Sequence, residues 1–68
     1  MKTETTTNYV GVILQLRWDD GEWIVHDPRN GDDDRVDHAD GTPVARDEFF
    51  TAGRIAQEMF PGCDLRLV

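Results

Sequence analysis

The chain has 68 residues, room for one small domain and one core. Fourteen Asp and Glu against seven Lys and Arg leave a net charge of −7. That balance excludes a protein that itself grips DNA, RNA or an anionic membrane, because each needs a basic face. The excess is local. Asp19 to Asp40 holds nine acids (Asp19, Asp20, Glu22, Asp27, Asp32, Asp33, Asp34, Asp37 and Asp40) against only Arg29 and Arg35, and the rest of the chain is neutral. Salt adaptation would spread acid over every surface, whereas one acidic third points to a basic partner or a cation.

No apolar run approaches the roughly 20 residues that span a bilayer, so no membrane segment is expected. Met1 to Asn8 is polar and Thr-rich, reading as a flexible start without the apolar stretch of a signal peptide. Cys63 is the only cysteine, which leaves no internal disulfide and no Cys-based zinc site. A single domain over residues 1–68, monomeric and in a reducing cytoplasm, is the expectation.

From Tyr9 to Trp18 the pattern alternates: Val10, Val12, Leu14, Leu16 and Trp18 share one face of a strand. Asp20-Gly21 follows, a dipeptide that accepts the positive φ angles of a two-residue hairpin turn. Such a turn sets Trp18 opposite Trp23 and Leu16 opposite Val25, so Glu22 to Asp27 returns with its apolar residues on the same face. Pro28 ends this second strand because it has no N–H to donate.

Residues 29–43 are turn-rich, with Asn30-Gly31, Asp32-Asp33-Asp34 and Asp40-Gly41. Within them Arg35 to Ala39 reads as a short third strand and the Asp triplet as loop. A helix starts at Thr42-Pro43, with Thr42 as N-cap, or at Asp47, whose charge suits a first turn. Ala45, Phe49, Ala52, Ile55, Ala56, Met59 and Phe60 fall on one side of its wheel; Phe50 falls outside it. Pro61-Gly62 stops the helix, and Cys63 to Val68 alternates as a last strand.

The fold class is therefore α+β: an antiparallel hairpin, an acidic loop with a short strand, and one amphipathic helix on a three- to four-stranded sheet. The last strand is expected beside the first and antiparallel to it.

Chemistry is scarce. No Gly in the acidic segment lies at position six of an EF-hand loop with ligands at the required spacing. His26 and His38 share no zinc-ligand spacing with the nearby acids, and Cys63 reads as a small buried hydrophobe. Without a catalytic motif or room for a deep pocket, the expectation is a non-enzyme with no cofactor and no metal. A looser divalent-cation site on Asp32, Asp33, Asp34, Asp37 and Asp40 is the weaker alternative. The favoured reading is electrostatic: the nine acids occupy a basic groove that otherwise holds nucleic acid.

Two blocks, Asp19-Asp20-Gly21-Glu22 and Asp32-Asp33-Asp34-Arg35-Val36-Asp37-His38-Ala39-Asp40, make the chain similar to small acidic phage-encoded anti-CRISPR inhibitors of type I systems and to anti-restriction DNA mimics. The likeness is one of composition and placement over a third of the chain. It implies a bacterial host cytoplasm and binding to the DNA-recognition subunit of a type I CRISPR effector, so that target DNA is excluded.

A second stretch, Tyr9 to Val25 with Asp20-Gly21-Glu22-Trp23-Ile24-Val25, then Pro28 and Ala39-Asp40-Gly41-Thr42 before a helix, resembles HicB-type antitoxin domains. That likeness implies a hairpin, a short third strand, a helix and a protein partner. The chain departs from that pattern at Asp32 to Asp37, where the family has a Pro-Gly-Cys-like stretch. It also lacks the family's early helical Glu-Ala pair and DNA-binding extension.

Overall fold

A computed structural model describes residues 8–68. Of the expected flexible start, residues 1–7 lie outside the described residues; Asn8 is described and accepts the Val10 amide on its Oδ1 at 3.0 Å.

The first hairpin follows from turn chemistry and period-two patterning together. Strand β1 (Ile13–Asp19) pairs antiparallel with β2 (Glu22–Asp27), with Trp18 opposite Trp23 and Leu16 opposite Val25. Asp20 and Gly21 take φ of 49° and 88°, the left-handed values of a tight hairpin turn. The two indoles meet edge to face, centroids 5.6 Å apart. β1 begins later than the alternation suggests. A Tyr9–Val12 turn, closed by the Val12 N–H on the Tyr9 carbonyl, leaves Val10 72% exposed rather than in the core.

The third strand is not Arg35 to Ala39 but β3 (Asp32–Val36), which contains the whole Asp triplet. Asn30-Gly31 closes a short link rather than opening a long loop. The Gly31 and Asn30 amides both donate to the Asp27 carbonyl, so the chain re-enters the sheet with Asp32 opposite Asp27. Asp has little intrinsic preference for strands, but cross-strand pairing and the burial of Val36 opposite Trp23 override it.

The segment after β3 holds the helix back. Asp37 bridges Pro43, Val44 is buried, and the Trp23 indole N–H donates to the Ala45 carbonyl at 2.8 Å. Pro43 and Val44 are thus spent on the sheet and core, and α1 (Phe49–Met59) starts later than Thr42 or Asp47. Glu48 stands at its N-cap and reaches back to accept the Ala45 amide at 2.9 Å. Ala52 and Ala56 are buried against the sheet, Ile55 and Phe60 partly so, while Phe49 and Met59 keep 46% and 39% of their surface exposed.

After Pro61-Gly62 the chain forms β4 (Asp64–Leu67), beside β1 as expected but parallel to it, not antiparallel. The reason is travel. β3 runs in the direction of β1, so α1 must carry the chain back along the sheet, and the next strand restarts in the direction of β1. The sheet order is β3-β2-β1-β4, with α1 on one face, a two-layer α+β domain. The core is Leu14, Leu16, Trp23, Val25, Val36, Val44, Ala52, Ala56 and Cys63. Cys63 is buried as a small hydrophobe, and burial, aided by Asp64, raises its thiol pKa. Among the described residues no helix is long and apolar enough to cross a membrane.

Two glycines give opposite expectations. A Cβ on Gly53, inside α1, meets only Leu16 Cδ2 at 4.0 Å, so Gly53→Ala should stabilise the domain by roughly 0.5–1 kcal/mol through helix propensity. A Cβ on Gly62, at φ +90°, would lie 2.7 Å from Val10 Cγ2 and 3.1 Å from the Val10 amide nitrogen. Gly62→Ala should therefore destabilise by more than about 1 kcal/mol. Urea melts of the two variants against the parent check both signs.

Candidate functional site

The register of β2 and β3 decides where each acid goes. Because residues opposite one another share a face, Asp32 and Asp34 lie with Asp27 and Val25 on the helix side, while Asp33 lies with His26 on the open side. β3 is also the outer strand of the sheet, so the Asp triplet lines an edge. Asp19, Asp20 and Glu22 stand at one end of it with Asp37 just beyond Val36, and Asp27 and Asp32 stand at the other. Eight of the nine acids thus form a band along β3 and its flanking turns, with the strand's side chains on alternating faces, and Asp40 lies in the loop beyond.

Within the band most carboxylates are already engaged. Arg29 grips Asp27 through Nη2 at 2.7 Å and Nε at 3.0 Å, and holds its carboxyl below the usual aspartate range. The same guanidinium lies 5.6 Å over the Tyr9 ring. Arg35 bridges Asp37 at 3.0 Å and Glu22 at 3.4 Å. Asp33 accepts from Arg17 at 3.4 Å and meets His26 Nδ1 at 2.6 Å. Asp19 is 3.9 Å from Arg17. Asp40 is turned onto its own loop, taking the Thr42 hydroxyl at 2.6 Å and amide at 3.0 Å, which lowers its pKa. Asp37 is turned inward, one of its oxygens buried without a partner among the described residues.

Three acids remain. Asp20 at the first turn and Asp32 and Asp34 on β3 have no ion pair or side-chain hydrogen bond among the described residues. These are the carboxylates an incoming basic group meets without competition. Arg17 is the neutralising residue that reading along the chain misses. It lies outside the acidic stretch and reaches Asp33 diagonally across β2, which only the β2–β3 register reveals.

The alternation also bears on a cation. Asp33 points to the opposite face from Asp32 and Asp34, so the triplet does not converge on one ion. Among the described residues no three His, Cys, Asp or Glu side chains are grouped as metal ligands.

The loop after β3 is built around Glu48. Its Oε1 accepts the Ala45 amide and lies 3.3 Å from His38 Nε2. The amide first, and then the imidazole, hold its carboxyl below the usual glutamate range.

An apolar groove of ≈ 710 Å³ lies on the far side of the molecule, between α1 and β4, lined by Phe49, Phe50, Leu65 and Leu67 over Leu16. The Phe49 and Phe50 rings are 4.8 Å apart, and Phe50 is 83% exposed. No protein-family model, curated protein or solved structure matches this chain.

A carboxylate with a folded pKa below its unfolded one adds stability above the unfolded value, and loses it as pH falls through the folded one. Glu48→Gln should therefore be less stable than the parent near neutral pH, and the gap should narrow as pH falls below the usual glutamate range. Denaturant melts across that pH span measure the gap.

Proposed function

We propose that this protein is a non-enzymatic inhibitor that docks its acidic band into a basic, nucleic-acid-binding groove of a partner protein. The observation that carries the reading is the Asp triplet on an edge strand. Alternation sets Asp32 and Asp34 roughly 6.8 Å apart along one face of the strand, twice the axial interval of about 3.4 Å at which one strand of a duplex presents its phosphates. A rigid sheet holds them in place, so little order is lost on binding. The unpaired Asp20, Asp32 and Asp34 offer the first contacts. The acids held by Arg17, Arg29 and Arg35 provide hydrogen-bonding groups of fixed geometry behind them. In its most concrete form the partner is the DNA-recognition surface of a type I CRISPR effector or a restriction enzyme, with target DNA as the excluded ligand.

The discriminating variant is Asp32→Lys with Asp34→Lys, which reverses two unpaired charges and leaves Asp33 with Arg17 and His26. Binding to a type I effector that carries a basic DNA channel should weaken on the order of 100-fold or more, because like charges then face each other. Parent binding should fall steeply with added salt. Unchanged affinity in a surface-binding assay would sink the proposal.

A second reading, a protein-interaction module of HicB-antitoxin type, is favoured by the exposed Phe49–Phe50 pair beside β4. Here Phe50→Ala, and not the double Lys variant, should abolish capture of a cognate toxin. Capture lost through the acidic variant alone would dispose of this second reading.

A further inference from the structure

The two edges of the sheet are built differently. The β3 edge carries three successive carboxylates, which discourage another strand from pairing there. The β4 edge has no such guard. Its sequence is Asp64-Leu65-Arg66-Leu67, and Leu67 is 62% exposed. The Asp64 amide donates to Val12 and the Val68 amide to Leu16, so in the parallel ladder the even-numbered residues use their backbone groups on β1. The N–H and C=O groups of Leu65 and Leu67 therefore face outward. Above them α1 packs toward β3 and leaves the apolar groove open.

We infer that β4 pairs antiparallel with β4 of a second copy of this chain, about a two-fold axis at Leu65, to give a continuous eight-stranded sheet. Charge selects both the occupant and the register. Outward backbone groups allow Leu65 to lie opposite Leu65 or opposite Leu67 of the other copy. The second choice sets Arg66 against Arg66. The first sets Asp64 against Arg66 twice, at the non-hydrogen-bonded positions where side chains come closest. The Asp64–Arg66 pair now closed within one chain at 3.0 Å is exchanged between chains. This register also keeps both helices on one side, so Phe50 and Leu67 of each copy cover the groove of the other. The acidic β3 edges end up roughly 34 Å apart, several Debye lengths at physiological salt, so two chains of charge −7 associate without their acidic bands meeting. The interface replaces the monomer expected from sequence and is independent of what the acidic band binds.

Sedimentation of the full chain over a concentration series tests it. The mass should rise from 7.8 kDa toward twice that value. Asp64→Arg alone and Arg66→Asp alone, both at exposed positions, should each stay monomeric. An equimolar mixture of the two should recover the dimer, because every cross-strand pair is again opposite in sign. A mass of 7.8 kDa at every concentration overturns the inference, as does a dimer indifferent to both substitutions. Hydrogen exchange on the monomer then names the other occupant. In a chain that stays at 7.8 kDa at every concentration, unprotected Leu65 and Leu67 amides leave the edge to a foreign partner and protected ones show it covered within the chain, and in that case both stand against self-pairing.

Discussion

The register of the first hairpin is the constraint on which everything else rests. A slip of one residue at Asp20-Gly21 would turn Trp23 and Val25 to the open face and leave Leu14 and Leu16 without neighbours. With the register held, Trp23 becomes the hub. Its ring packs on Trp18, its opposite partner is Val36, and its N–H holds the Ala45 carbonyl. That last bond draws residues 43–45 against the sheet and sets where α1 begins. In a chain this short the core has nine buried residues among those described, so no part of it is redundant.

The same register converts a run of charge into a patterned surface. Alternation sends Asp33 to one face, where Arg17 and His26 meet it, and Asp32 and Asp34 to the other, where no described residue pairs with them. Arg35 sits between Glu22 and Asp37 for the same reason, since opposite positions on β2 and β3 bring the end of one strand to the start of the other. The acidic edge thus has two roles that coincide. It discourages β3 from pairing with other strands, and it is the surface that the proposed docking to a basic groove would use.

The reading along the chain recovered the elements where local chemistry and hydrophobic pattern agree. Asp20-Gly21 with the flanking alternation specifies the hairpin to the residue, Pro28 ends β2, Pro61-Gly62 ends α1, and Cys63 falls into the core. It misplaced elements whose position depends on distant partners. Asp32-Asp33-Asp34 has the composition of a loop, and only pairing with His26 and its neighbours makes it a strand. Thr42-Pro43 has the form of a helix start, but Val44 gains more by burial than Pro43 would by opening a helix.

Sequence alone determined the α+β class, the hairpin register, the apolar face and the placement of all excess charge in one third of the chain. These are legible because turn geometry and side-chain alternation act over a few residues. The tertiary structure decided that β4 runs parallel to β1, that the Asp triplet occupies one edge and β4 the other, and which carboxylates lack a partner among the described residues. Those depend on which strands become neighbours and on the direction in which the helix returns the chain. Both are settled by packing one helix on four strands, a constraint that no local pattern encodes.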